Sequence, residues 1–210
     1  MHAMPSWTLD ATSILTRREL AAVVADLKAR RSMNTRRNLV IFRLACCCGL
    51  RVSEIAQLCL DDVVIDSPRP QLSLRTPTTK GKRARRVPLW WDSGTLADVA
   101  VWLATRRNLG ARGGNPFVCS VQAHRCGEAL QRAAIRRRFL FACKILGLAR
   151  LRTLTIHHGR HSFISHALAG GRTLAEVRIA AGHTNLAVTI INLHVAVDDD
   201  DGVGDLFGAK

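Results

Sequence analysis

Apolar residues recur at helical spacing along most of this chain, and strand-like alternation replaces that spacing in one short region. The first helix is predicted from Thr16 and Glu19, which have the spacing of a capping box and precede an apolar stripe. The stretches QLSLRT (71–76) and RRVPL (85–89) alternate instead and flank a basic turn at 77–84, which predicts two short paired strands. This pattern predicts an α+β fold, mainly α, with a small antiparallel β-sheet.

Seven further helices are predicted, and several have recognisable ends. Gly49 ends the second helix, Ser53 is a candidate N-cap for the third, and Thr173 with Glu176 forms another capping box. A long helix is predicted to end near Gly147. The predicted segments are TRRNLVIFRLACCC, VSEIAQLCL, SGTLADVAVWLATRR, GEALQRAAIRRRFLFACKILGL, RHSFISHALAGG, LAEVRIAAGH and residues 186–193.

The domain organisation follows from these elements. We expect residues 1–13 to form a leader, residues 14–195 to form the folded domain, and the acidic, Gly-rich residues 196–210 to form a tail. A chain of 210 residues is long enough for one domain with its own core. We therefore expect a single domain, with no separate domain before it.

The charge of the chain favours a polyanionic partner. Lys and Arg number 31 against 16 Asp and Glu, which gives a formal net charge of +15. Segments 75–86 and 132–152 are basic and contain no acidic residue, so either run is a solvated face or a surface for phosphate contacts. A membrane partner is not expected, because these residues do not line one face of an exposed amphipathic helix. The candidate DNA contacts are Lys82, Arg83, Arg85, Arg136 and Arg137.

The seven cysteines do not have the spacing of a disulfide framework or of a metal site. Cys46, Cys47 and Cys48 are consecutive in an apolar run, and Cys59 and Cys143 also lie on apolar stretches, which predicts buried reduced thiols. A possible group of metal ligands consists of Cys119, His124 and Cys126. It lacks the paired spacing of zinc ligands, so no metal site is predicted. Without a signal peptide or a membrane-spanning run, the expected location is the cytoplasm.

Four short strings carry the residues that could perform chemistry. Arg51 lies in GLRVSEIAQL at a predicted helix start, and Lys80 lies in TKGKRARRVPL on the basic turn. His157 and Arg160 lie three residues apart in HHGRH, so both fall on one side of a helix start. His183 follows a predicted helix end in AGHTN. Taken singly, each of these residues could be an ordinary surface or packing residue.

Three neighbouring polar residues are expected to be structural. Glu54 is predicted to hold a buried backbone group or an arginine in place. His161 and His166 are predicted to pack or hydrogen-bond within their helix, and no catalytic role is expected for them.

Together, in this order and spacing, the four strings resemble the catalytic domain of the tyrosine recombinase (phage integrase) family. That family carries a GLR-x-SE arginine, a hairpin lysine before a VPL strand, an H-x-x-R-H box and a GH box. The resemblance covers residues 14–195. It implies a mainly helical catalytic core that binds duplex DNA, needs no cofactor, and works as a homo-oligomer or in a mixed tetramer on DNA.

The chemistry of phosphodiester transfer explains why such residues are needed. Negative charge concentrates on the non-bridging phosphate oxygens, and two guanidiniums, here Arg51 and Arg160, can clamp them. His157 and His183 can donate further hydrogen bonds or move a proton. Lys80 can protonate the departing 5′ oxygen if cationic surroundings lower its pKa. In the family, a tyrosine attacks the phosphate and forms a 3′-phosphotyrosyl bond.

The position of that tyrosine is occupied by Asn192, nine residues after His183, and the chain contains no tyrosine. A carboxamide has no ionisable hydroxyl and cannot form the phosphotyrosyl bond. Thr189 lies one turn earlier, but an aliphatic hydroxyl would need a dedicated base. Three explanations stay open: a degenerate recombinase, a structural partner of an active protein, or a single-base change between Tyr and Asn codons.

The sequence therefore predicts a DNA-binding protein of DNA integration and site-specific recombination that is deficient in cleavage. One alternative is an active strand transferase, similar to a type IB topoisomerase, that uses another nucleophile. A second alternative is a purely architectural DNA-binding protein. The family usually has an N-terminal helical domain that clamps DNA, so its expected absence here predicts weaker and less specific binding. The chain is then either a fragment or a minimal, single-domain member of the family.

Overall fold

The computed structural model describes residues 14–75 and 84–182. The leader (1–13), the tail (196–210) and the helix predicted at 186–193 lie outside these ranges. Within the described ranges, three short 3-10 helices accompany the main elements, at Leu60–Asp62, Ala123–Arg125 and Cys143–Leu146. The α-helices are α1 (Arg17–Ala29), α2 (Met33–Cys46), α3 (Val52–Gln57), α4 (Ser93–Asn108), α5 (Arg132–Ala142), α6 (Leu148–Thr153), α7 (Ile156–Ala169) and α8 (Leu174–Ala181). The strands are β1 (Val63–Val64), β2 (Gln71–Leu74) and β3 (Arg85–Pro88).

Reciprocal capping boxes start two of the helices as predicted. In α1, the Glu19 amide donates to Thr16 Oγ1 at 3.1 Å and the Thr16 amide donates to Glu19 Oε2 at 2.9 Å. Thr173 and Glu176 make the same pair of bonds at the start of α8, at 3.3 and 2.8 Å. Each box satisfies amide groups that would otherwise lack partners at a helix N-terminus.

Several predicted helices differ from those in the structure. The helix predicted from Arg160 begins at Ile156 as α7, and α6 is an addition. Ser53 is not the N-cap of α3, because the helix begins at Val52 and Arg51 occupies the cap position. The long helix predicted over 127–148 is divided: α5 begins only at Arg132, because Ala129 bridges to Cys119 in an extended pairing. α5 ends at Ala142, a 3-10 helix continues over Cys143–Leu146, and Gly147, with a φ of 85°, ends the helical run where the sequence predicts its end.

The sheet is antiparallel in the order β1-β2-β3. The two predicted strands are confirmed as β2 and β3, and β1 is an addition of two residues, too short to leave a pattern in the sequence. Leu72 pairs with Val87, and both are fully buried. Because side chains alternate between faces along a strand, Arg85 lies on the same inward face as Val87.

Helix α2 is the centre of the core. It packs against α1, α4, α5 and α7, and Phe42 in its middle stacks on Phe139 of α5 with 6.0 Å between ring centroids. The prediction of buried free thiols is confirmed for a group of residues in which burial raises the pKa of each thiol: Cys46, Cys47, Cys48 and Cys143. Cys59 is only partly buried.

The first described residues are tied to α7. The Leu15 amide donates to Ser162 Oγ at 2.7 Å, and His166 Nε2 lies 2.7 Å from the Leu15 carbonyl oxygen. The sequence suggests that His166 bonds within its own helix. In the structure it also reaches the separate segment that contains Leu15. No helix in the described part of the chain is long and apolar enough to cross a bilayer.

Truncating Phe42 tests the central position of α2. Phe42→Ala removes a fully buried ring and its stacking contact with Phe139, so we expect the free energy of unfolding to fall by about 3–5 kcal/mol. Val101→Ala, at a side chain that is 56% exposed on α4, is the control and should change stability by less than about 0.5 kcal/mol. Urea unfolding followed by circular dichroism measures both, and equal losses would contradict this account of the core.

Candidate functional site

Three guanidiniums meet at the C-terminal end of α8. The last carbonyls of an α-helix lack partners within the helix and carry its negative dipole end. In α8, three consecutive carbonyls of this kind each accept from a different arginine, and these arginines come from distant parts of the chain. The pairs are Arg85 with Ala180, Arg160 with Ala181, and Arg51 with Gly182. The helix end thus gathers positive charge at one place.

Arg51 is oriented by the first turn of α3. Its Nη1 donates to Glu54 Oε1 at 3.1 Å, its backbone amide donates to Glu54 Oε2 at 2.7 Å, and its Nη2 donates to the Gly182 carbonyl at 3.2 Å. The Glu54 side chain is fully buried, whereas the Arg51 side chain is 22% exposed. Glu54 thus has the structural role that the sequence suggested, and Arg51 keeps a face toward solvent.

Arg160 lies deeper, on the second turn of α7. Its Nη1 donates to the Gly49 carbonyl at 2.6 Å. Gly49 has a φ of 62°, and a Cβ there would lie 2.4 Å from Cδ1 of Phe163, so this position requires glycine. Burial and, to a smaller extent, the nearby guanidiniums lower the pKa of Arg160 to about 9, but the side chain still carries its charge at neutral pH.

Arg85 does not lie on the surface where the sequence placed it as a DNA contact. Its side chain is 6% exposed, and its Nη2 donates to Glu54 Oε2 at 2.6 Å. Burial lowers the pKa of Arg85, and the Glu54 carboxylate opposes that effect. The prediction of a surface contact is therefore wrong for this residue, and the alternation of β3, with Val87 inward, is the signal that could have revealed it.

His157 stands at the exposed start of α7, one turn before Arg160. Partial burial lowers the pKa of His157, and the positive charges of Arg136, His161 and Arg160 lower it further. Its imidazole is therefore neutral at pH 7, with one nitrogen able to donate and the other able to accept. Helix α5, which carries Arg136, packs against α7.

The other predicted site residues divide into two groups. Arg136 and Arg137 are exposed on α5, available to a partner. The remaining candidates lie outside the described residues: Lys80, Lys82, Arg83, His183 and Asn192. In the sequence, His183 directly follows Gly182, whose carbonyl accepts from Arg51, and Lys80 belongs to the segment between β2 and β3.

The arrangement is suited to an oxyanion. Three guanidiniums against the one carboxylate of Glu54 give a formal local charge of 3 − 1 = +2. A guanidinium has more N–H donors than the two protein contacts that Arg51 and Arg160 each make, so both can donate to a further acceptor. Among the described residues, no three His, Cys, Asp or Glu side chains are grouped to hold a metal ion.

Comparison with known proteins identifies the family. Residues 13–198 match the profile of the phage integrase family, so the match covers most of the chain. The chain belongs to this family.

Tyrosine recombinases of the Xer type are among its relatives. XerC of Rhizobium meliloti is 35% identical over 177 residues, which cover 83% of this chain and 51% of that protein. XerD of Pseudomonas putida is 32% identical over 152 residues, or 71% of this chain and 46% of that protein. The chain thus spans about half the length of these relatives.

Solved structures of recombinases share the fold. The crystal structure of XerA recombinase superposes with a TM-score of 0.70 at 18% identity, covering 91% of this chain and 61% of that one. A pre-cleavage complex of the XerH site-specific recombinase with its difH substrate has a TM-score of 0.69 at 22% identity, covering 92% and 53%. The predicted fold class, a mainly helical catalytic core with a small antiparallel sheet, is confirmed.

The start of α7 should be sensitive to acid. His158 Nδ1 accepts from the Thr155 amide at 3.2 Å, and partial burial, followed by His161 and other positive neighbours, lowers the pKa of His158. A group whose folded pKa is depressed adds stability above its unfolded pKa of about 6.5, and that stability is lost as the pH falls below this value. We therefore expect the melting temperature to fall between pH 7 and 5.

His158→Gln should reduce that acid dependence, because glutamine at this position can still accept from the cap amide but does not titrate. His124→Gln, at an exposed histidine, is the matched control and should leave the pH profile unchanged. Melting temperatures measured from pH 5 to 8 test this, and an identical profile for both variants would contradict a titrating cap at Thr155.

Proposed function

We propose that this chain is a DNA-binding protein of DNA integration and site-specific recombination that grips a backbone phosphate between Arg51 and Arg160 and does not cleave the strand. The observation that carries the proposal is the convergence of these two guanidiniums at the C-terminal end of α8, with net positive charge and spare donors. Family membership and the named activity of its recombinase relatives support the part of the proposal that concerns DNA recombination.

The two guanidiniums would bind a phosphate through their positive charge and through the fixed orientation of their N–H donors. Arg51 and Arg160 are held by protein contacts before any ligand arrives, so little reorganisation is needed when they donate to the non-bridging oxygens. Neutral His157 at the rim adds a donor or accepts a proton. From the resemblance, His183 adds a further donor and Lys80 protonates the departing 5′ oxygen. No cofactor takes part in this scheme.

Asn192 is the reason for the expected loss of cleavage. It occupies the position of the attacking tyrosine, and the chain has no tyrosine that could replace it. A carboxamide is neither acidic nor nucleophilic enough to displace a 5′ oxygen from phosphorus. We expect the chain to bind duplex DNA in the cytoplasm as a homo-oligomer or as a member of a mixed tetramer, in which another protomer supplies strand cleavage.

An adduct assay with Asn192→Tyr tests this proposal. The unmodified chain and the variant are incubated with supercoiled plasmid and with nicked duplexes, then separated under denaturing conditions. We expect a covalent protein–DNA adduct from the variant alone, because the clamp lacks only its nucleophile. Adding Arg160→Ala to the variant should slow adduct formation by about 10²–10³-fold, the usual effect of losing an oxyanion donor.

Two results of this assay would contradict the proposal. An adduct formed by the unmodified chain would establish an active strand transferase with another nucleophile. Unchanged adduct formation and DNA affinity after Arg160→Ala would rule out the phosphate clamp. The chain would then be interpreted as an architectural DNA-binding protein.

The exposed arginines of α5 give a second test. If Arg136 and Arg137 contact backbone phosphates, Arg137→Ala should weaken binding to all duplex sequences alike and reduce the slope of log affinity against log salt by about one. Arg125→Ala, in an exposed ion pair with Glu128, is the control and should leave the slope unchanged. Fluorescence anisotropy over a range of salt concentrations measures both slopes, and equal slopes would exclude Arg137 as a phosphate contact.

A further inference from the structure

Arg85 is the third arginine at the end of α8, and it bonds to the same carboxylate as Arg51. Its side chain is 6% exposed, and its Nε is buried without a hydrogen-bond partner among the described residues. We propose that Arg85 is a positioning residue: as the second cation on Glu54, it keeps Arg51 from being neutralised and fixes the end of α8, so that Arg51 stays available to a phosphate. This inference rests on the proposed function.

The division of the Glu54 carboxylate is the first argument. Oε1 accepts from Arg51 Nη1 at 3.1 Å, and Oε2 accepts from Arg85 Nη2 at the shorter distance of 2.6 Å. A carboxylate that faces a single guanidinium forms a bidentate pair and cancels its charge. Because Arg85 shares Oε2 with the Arg51 backbone amide, the Arg51 guanidinium is held by Oε1 alone, and the cluster keeps a formal charge of +2 rather than the +1 that would remain without Arg85.

The contact of Arg85 with the end of α8 is the second argument. Its Nη1 donates to the Ala180 carbonyl, and a Cβ on Gly182 would lie 2.6 Å from Arg85 Cδ, so the arginine stem lies directly against this glycine. The Gly182 carbonyl in turn accepts from Arg51. Arg85 therefore contacts both groups that orient Arg51, the Glu54 carboxylate and the last residue of the α8 turn.

Arg86 provides a matched control on the same strand. The two residues are adjacent in β3, but Arg86 pairs with Ser73 on the exposed face while Arg85 pairs with Leu74 on the buried face. Replacing either one removes the same charge from the chain. Only Arg85 contacts Glu54 and α8, so a difference between the two variants reports on those contacts rather than on net charge.

The experiment compares Arg85→Met, Arg85→Lys and Arg86→Met in two backgrounds. In the unmodified chain, duplex affinity and its salt slope are measured by anisotropy. In the Asn192→Tyr chain, the single-turnover rate of adduct formation is measured. We expect Arg85→Met to weaken affinity about threefold with an unchanged salt slope, because no phosphate contact is lost. We expect it to slow adduct formation by about tenfold, less than the loss of a direct donor.

Rescue separates positioning from simple destabilisation. Arg85→Lys restores the second cation on Glu54, so it should recover most of the affinity and rate, while Arg86→Met should leave the adduct rate within about twofold. Thermal melts of every variant establish that each is folded at the assay temperature. If Arg85→Lys recovers nothing and both Arg85 variants melt early, the role is merely structural and the proposal is overturned.

The remaining outcomes also decide the question. A salt slope reduced by about one in Arg85→Met would mean a direct DNA contact and would overturn the proposal. Unchanged DNA affinity and adduct rate in Arg85→Met would also overturn the proposal, provided that Arg160→Ala slows adduct formation as expected. If Arg160→Ala changes nothing either, the proposed function itself fails. If the Asn192→Tyr chain forms no adduct, the positioning role is tested by DNA affinity alone. Weaker binding by Arg85→Met and its recovery in Arg85→Lys would then support the role.

Discussion

The candidate site depends on one buried carboxylate, that of Glu54. It is fully buried, and its two oxygens are shared by the guanidiniums of Arg51 and Arg85 and by the backbone amide of Arg51. A buried charge is tolerated only when it is paired and hydrogen-bonded, and breaking such a pair typically costs about 3–5 kcal/mol. Glu54 therefore ties the first turn of α3 to strand β3, and through the two arginines to the end of α8.

The sequence predicted much of the fold because the relevant signals are local. The capping boxes at Thr16 and Thr173 lie within single helical turns, and β2 and β3 show their alternation over four residues each. Elements whose limits depend on distant partners were not predictable in the same way. The late start of α5 at Arg132 follows from the bridge between Cys119 and Ala129, which no periodicity in the sequence indicates.

For the site, the sequence indicated the residue types and not their surroundings. Arg51 and Arg160 were proposed from short motifs, and the structure brings both to the same helix end. The run of basic residues predicts a uniformly exposed surface. The pleat of β3 instead turns alternate residues inward, which buries Arg85. The need for glycine at position 49 depends on the ring of Phe163, which is far away in the sequence.

The arginine contacts at the end of α8 also constrain how the protein comes into being. They join residues separated by 131 positions for Arg51 and Gly182, and by 95 positions for Arg85 and Ala180. During synthesis, domains fold as units and the N-terminal part of the chain emerges first. Until residue 182 has left the ribosome, the three guanidiniums have no helix end to bind, so a nascent or truncated chain is a strongly basic polypeptide without an organised anion site.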